Sequence, residues 1–235
     1  MEPITRTPIV MSISQLNLLR LMNLMSPTLP IGGFTYSQGI EQAIESGWIS
    51  DIDTAHQWIE SQLFLGFAHT DLPILIKLYE AFSIGDKEQV QKWGNILLAC
   101  RETKELRQEE VNRGRALTKI IKNLESVAAI DWEKEINTNH LSGYALISNV
   151  WEIPIDELLS GYSWSWLENQ VAAVVKIIPL GQTDGQKLLN NLINKVPEAI
   201  RKSREVSIED IGMSQPAFAI ASSLHETQYT RIFRS

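Results

Sequence analysis

The side chains in this sequence that invite a chemical reading are His56, His69, His140, His225, Cys100 and two glycine-bearing loops, and no catalytic set emerges from them. The histidines are scattered, and only His69 has a close companion of ligand type, Asp71. HETQ at His225 lacks the second histidine of a zincin HExxH helix. Ser37 stands in TYSQG, not in the GxSxG elbow that exposes a nucleophile. Cys100 follows Leu97 on an apolar helical stripe, where a thiol packs and stays inert. Each histidine reads as a partly exposed helix residue. Imidazole and thiolate donors are too sparse for a tight transition-metal site. The expectation is a protein that is not an enzyme and holds no cofactor tightly.

The two loops read PIGGFTYSQG (30–39) and PLGQTDGQ (179–186). Glycine there permits positive φ or close backbone approach. Neither is a phosphate cradle: no GxxxxGK[ST] follows, and neither has GxGxxG spacing after a strand. Most of their residues suit tight interhelix turns. Phe34 and Tyr36 are different, because a loop that exposes aromatics needs a cover. With Gly32 and Gly33 they are candidate partner-binding residues.

Helices must position these groups. Ser14 can cap a helix through Leu16, Leu19 and Met22, stopped by Pro27 and Pro30. A second covers 36–46, with Gly47 as C-cap. A third begins near Asp51 or Asp53, and Trp48 staples it to the second. Asp71 can cap a fourth, with Pro73 in its first turn. The longest pattern spans 87–125, bent near Gly114, with stripes Val90, Trp93, Leu97, Cys100 and Leu117, Ile120, Ile121, Leu124. Further patterns cover 139–150, 156–178 and 184–204, the last interrupted at Pro197. There is no alternating strand run, repeat or low-complexity tract. An all-α single-domain bundle of eight to ten helices is expected over 12–215, after a loose extension at 1–11 and before a docking segment at 216–235.

That last segment, PAFAIASSLHETQYTRIFRS, carries an apolar stripe at Ala217, Ile220, Ala221 and Leu224. Tyr229, Arg231, Ile232, Phe233 and Arg234 then crowd the terminus. Tyr, Phe and Arg anchor interfaces through large buried area or a planar hydrogen-bonding fork. The other reading is a terminal helix packed on its own core. Between Arg101 and Arg115 lie nine charged side chains. The pairs Arg101 with Glu105 and Glu109 with Arg113 are spaced i,i+4, so a solvated face accounts for most of this run.

Composition bounds the rest. The chain has 235 residues, 44% of them hydrophobic, enough for a substantial core. A formal charge of −7 argues against nucleic acid, whose phosphates need clustered Lys and Arg. A lone cysteine excludes an internal disulfide and suits a reducing compartment, so the expected location is cytoplasmic. The most apolar stretch, 171–180, is interrupted by Lys176 and Pro179 and is too short to cross a bilayer.

PIGGFTYSQGIEQAIESGWI, RETKELR at 101–107, WSWLENQVAAVVKIIPLGQTDGQ at 164–186 and IASSLHETQYTRIFRS together resemble the urease accessory protein UreF family. The resemblance runs from about Leu18 to Ser235. It implies an all-helical, dimeric, non-enzymatic chaperone. Such a protein binds the accessory protein UreD or UreH and the GTPase UreG, and the complex delivers nickel to apo-urease. Nickel is then handled by the complex and not held by this chain. The family's C-terminal segment becomes ordered on UreD/UreH, so Leu224, Tyr229, Ile232 and Phe233 are expected as apolar anchors. Arg231 and Arg234 would pair with partner carboxylates. The segment 229–234 is then expected to be poorly ordered or displaced in the isolated chain. The motif also raises Arg101 and Glu102 as partner contacts or members of an internal polar network. Arg101, Arg107, Arg231 and Arg234 are candidate arginine-finger donors to the GTPase.

Overall fold

A computed structural model describes residues 13–235, and among them there are helices and no strand. The expected extension at 1–11 lies outside the described residues. In chain order the helices are α1 (Gln15–Leu24), α2 (Ile40–Glu45), α3 (Ile52–Gln62), α4 (Asp71–Ser83), α5 (Lys87–Ala99), α6 (Lys104–Leu124) and α7 (Ser126–Asp131). There follow α8 (Glu133–Ile136), α9 (His140–Val150), α10 (Ile155–Ile177), α11 (Gln182–Ile193), α12 (Val196–Glu205) and α13 (Pro216–His225). Ten of these have ten residues or more, and the chain is all-α.

Local chemistry sets the helix starts. Side chains of Ser14, Asp86, Thr103 and Asn139 each accept the N–H three residues on, and Asp51 forms a reciprocal capping box with Thr54. Pro197 and Pro216 lie in first turns, where the missing N–H costs nothing. Trp48 packs 6.0 Å from Trp58, joining the turn after α2 to α3 as expected. Asp71 is the first residue of α4 and not its cap; its carboxylate turns to Arg101 instead.

The pattern at 87–125 divides into α5 and α6 at residues 100–103, where Thr103 starts a new helix. There is no break at Gly114. A Cβ at this glycine would stand 2.8 Å from the Asn139 backbone, so its role is to let α6 lie against the start of α9. The expected helix at 36–46 is shorter, because Gln38 and Gly39 have φ of 51° and 81°, and α2 begins only at Ile40.

Two apolar clusters form the core. One gathers Leu72, Leu75 and Leu78 of α4 with Leu117, Ile121, Leu141, Tyr144 and Leu158. The other gathers Ile40, Ile59, Leu167, Val171, Val174, Leu188, Leu192 and Phe233. Helix α10 contributes to both, and Trp166 packs against each. No described helix is long and apolar enough to cross a membrane.

Candidate partner-docking site

After α13 the chain turns back and lies along α2 and the loop before it. The Arg234 N–H donates to the Thr35 carbonyl over 2.9 Å. Ser37 donates to Ser235 O through its N–H over 2.8 Å and its hydroxyl over 2.6 Å. Phe233 is 5% exposed, sits in the second apolar cluster and carries Lys176 Nζ 4.7 Å from its ring centroid. The terminal segment is therefore seated on its own chain. An apolar anchor and partnered backbone donors compensate the entropy of ordering it.

A charged cluster holds the same strap. Glu41 Oε1 accepts the Ile232 N–H at 2.7 Å and Oε2 the Phe233 N–H at 2.8 Å. His225, fully buried, places Nε2 3.3 Å from Glu41 Oε2 and Nδ1 2.6 Å from Glu105 Oε2. Arg231 pairs with Glu105 and donates to the carbonyls of Gln228 and Glu226. Its guanidinium thus ties the strap to α6 and to the end of α13.

On α13 the inward residues are Ala221, Ser222 and His225, with Ser222 Oγ 2.9 Å from Thr103 Oγ1. Ile220 and Leu224 of the apolar stripe face outward. The helix turns its polar stripe inward because Thr103, Glu105 and Glu41 offer it partners there.

A second polar cluster lies deeper. Arg101 makes two parallel hydrogen bonds to Asp71, 3.1 and 2.7 Å, and two to Glu110 Oε1, 2.9 and 2.6 Å. Glu110 Oε2 is 2.7 Å from His140 Nδ1, and the Tyr162 hydroxyl stands 3.2 Å from both His140 Nε2 and Asp71 Oδ1. The five side chains close a ring. Burial works against the Glu110 carboxylate, but His140 and Arg101 hold it well below the usual carboxylate range. Burial, with the Arg113 guanidinium, pushes His140 below the imidazole range.

The expected solvated face at 101–115 is thus corrected for Glu109, Glu110 and Arg113, which are buried, whereas Glu102, Lys104, Arg107 and Arg115 are exposed. Arg101 pairs with Asp71 and Glu110 instead of Glu105, whereas the Glu109–Arg113 pair is present at 2.9 Å. The reading of all four histidines as partly exposed also fails for His140 and His225, which are interior. Glu109 also accepts from Gln38 Nε2 at 2.9 Å and from the Ser235 hydroxyl at 3.2 Å, which ties α6 to the loop and to the end of the strap.

The fold brings most of the expected partner residues to one place. Gly32, with φ of 75°, and Gly33 shape the turn that presents Phe34, which is 64% exposed. That turn is tied by backbone hydrogen bonds to the strap bearing exposed Tyr229, Ile232 and Arg234. Leu224 is exposed on the adjoining helix. Tyr36 is buried, not presented, and its hydroxyl accepts from Asn112 Nδ2 at 3.3 Å. Arg101 belongs to the interior ring, and exposed Glu102 lines a cleft with Asp71 and Glu110. Arg107 donates to the Arg101 carbonyl at 2.6 Å. Glu41, Glu105, Glu110, His140 and Tyr162 were missed, although two carboxylates within otherwise apolar helical faces were a usable signal.

Known proteins bear on this arrangement. The UreF family model matches residues 49–193, a span that holds the interior ring but not the strap. A urease accessory protein UreF of Alcanivorax borkumensis is 46% identical over 222 residues, covering 92% of this chain and 97% of that protein. One from Alkalilimnicola ehrlichii is 43% identical over 216 residues, covering 92% and 95%. One from Pseudomonas putida is 43% identical over 222 residues, covering 94% and 99%. The chain belongs to the UreF family of urease accessory proteins.

Proposed function

We propose that this chain is a non-enzymatic chaperone of urease maturation in the cytoplasm. It joins a UreD/UreH-type accessory protein and the GTPase UreG in a complex that inserts nickel into apo-urease as GTP is hydrolysed. The observation that supports this reading is the joining of the loop to the strap by backbone hydrogen bonds, with Phe34 exposed on the loop, Tyr229 and Ile232 on the strap and Leu224 on the helix before it. Aromatic and aliphatic side chains on a hydrogen-bonded frame are the usual centre of a protein interface.

A UreD/UreH-type partner would cover this surface. Of the four arginines considered as donors to the GTPase, Arg101, Arg107 and Arg231 are tied within the chain, which leaves exposed Arg234 as the favoured donor. A second apolar face, Leu18, Leu19 and Met22 of α1 with Trp164, would be covered by a second copy of the chain. Nickel is cargo here, held by ligands of the GTPase and the accessory partner.

Co-expression with a tagged UreD/UreH-type protein tests the reading. The wild type should be captured, and Phe34→Ala with Tyr229→Ala should reduce capture at least tenfold while the melting temperature stays unchanged. Undiminished capture by the double variant would overturn it.

A further inference from the structure

Helix α6 has two unlike sides. At about 100° per residue, Lys104, Arg107, Gln108, Val111, Arg115 and Lys119 fall within one sector of about 120°, and Glu105, Glu109, Glu110 and Arg113 fall outside it. The second set faces the protein and makes its ion pairs there, with Arg101, Arg231 and one another. The first set faces outward: its charged members are all exposed, and Val111 between them is half-buried. From Lys104 to Lys119 the stripe is about 22 Å long. Its charges are all positive, on a chain whose formal charge is −7.

Among the described residues, no carboxylate pairs with Lys104, Arg107, Arg115 or Lys119; the ion pairs of α6 are made by its other charged side chains. Surface cations of other helices do have such partners: Lys77 with Glu80, Lys187 with Asp184, Arg201 with Glu205 and Arg204 with Asp156. Within the stripe the neighbours are of like sign. Arg115 and Lys119 are spaced i,i+4 and Lys104 and Arg107 i,i+3, and both pairs repel. Lys104 is also the first residue of α6, at the positive end of the helix dipole, where a cation is unfavourable. The helix holds these charges against its own stability, and an occupant of opposite sign would turn the repulsion into attraction.

We propose that the outer stripe of α6 is a second docking surface, for an acidic segment of another protein whose carboxylates meet Lys104, Arg107, Arg115 and Lys119. It is distinct from the loop and the strap and does not rest on their docking role. The stripe is one side chain wide and straight, which fits a single segment laid along the helix. Val111 and the aliphatic stems of the lysines give that segment apolar contact between the charges. A nucleic acid fits less well, because its phosphates continue past the stripe into the field of a chain with an excess of acid. Charge complementarity of this kind speeds encounter and fixes register more than it adds affinity.

Fluorescence anisotropy with the full-length protein tests this. The probe is a fluorescein-labelled glutamate–alanine peptide of about 16 residues, with glutamates spaced i,i+4, which as a helix matches the length of the stripe. The wild type should bind it at about 0.1 M salt and release it toward about 1 M, as the screening length falls from about 10 to about 3 Å. Lys104→Gln combined with Arg115→Gln and Lys119→Gln should lower the affinity at least about tenfold. The melting temperature of this variant should hold or rise, because the like-charge repulsion is gone; a merely structural role for the stripe would lower it. Lys92→Gln combined with Lys134→Gln and Lys187→Gln, exposed lysines off the stripe, should leave the affinity within about twofold of wild type. Wild-type affinity in the stripe variant, an equal loss in the control variant, or no binding by the wild type at about 0.1 M salt overturns the proposal. So does a DNA duplex of matched length that binds more tightly than the peptide and loses its affinity in the stripe variant, since the surface would then serve nucleic acid.

Discussion

Arg101 and Asp71 face each other through two parallel hydrogen bonds of 3.1 and 2.7 Å, with the carboxylate at the start of α4 and the guanidinium in the break between α5 and α6. Asp71 is buried and Arg101 largely so, and the pair shares Glu110 and Tyr162. It therefore ties the start of one helix to the junction of two others.

Breaking that pair should be expensive. Removing one partner of a buried ion pair costs about 3 to 5 kcal/mol, since the other charge stays in a dry site. Arg101→Ala and Asp71→Ala should each lower stability by about that amount in urea titrations. The double variant should cost less than the sum, because the two share one interaction. Arg101→Lys should recover only part of the loss, as an ammonium lacks the planar fork.

Stability should fall on mild acidification. His140 titrates below its ordinary 6.5 because burial and Arg113 disfavour the imidazolium, so near neutrality the ring is neutral and donates from Nδ1 to Glu110. Just below 6.5 the unfolded chain binds a proton that the folded chain refuses, and that difference favours unfolding. The contribution is full above this value and declines as pH falls through it. Glu110, held below its usual 4.5, acts in the same sense at lower pH. Urea midpoints should fall between pH 7.5 and 5.5, and His140→Gln should flatten the profile there.

Gly114→Ala sets two effects against each other. Alanine improves helix propensity by about 1 kcal/mol in an exposed helix interior. Here its Cβ would meet the Asn139 backbone at 2.8 Å, and overpacking costs about 1 to 3 kcal/mol. Because the contact is with backbone, the second effect should win, and the melting temperature should drop by several degrees.

Cys100 should be a slow thiol. Burial raises its pKa against the pull of Arg101, so little thiolate is present at neutral pH. Alkylation by iodoacetamide at pH 7.5, followed by mass spectrometry, should run several-fold slower than for a free cysteine peptide. The rate should approach that of the peptide once urea unfolds the chain.

Much of the fold was legible in the sequence. Ser14 and Asp51 marked helix starts, Gly47 an end, and the apolar period located α3, α5, α9 and α10, because caps and periodicity are local properties written in neighbouring residues. The same locality explains the misses. Gly114 looks like a flexible point to a local reading, and only the approach of Asn139 shows that it is a contact.

For the candidate site the division is sharper. Neighbouring residues alone mark the loop at 30–39 and the terminal segment at 216–235, and show that their aromatic and apolar side chains need a cover. They also determine the family, since four motifs in order depend on no contact. That loop and strap meet, that Phe233 turns inward while Tyr229 turns out, and that Glu109, Glu110 and Arg113 of the charged run are interior follow from long-range packing alone. The reason is that a charge reads as solvated until its partner is known. The partners of Glu41 lie 184 to 192 positions along the chain and that of Arg101 on Asp71 lies 30 away, distances over which no helical period carries information.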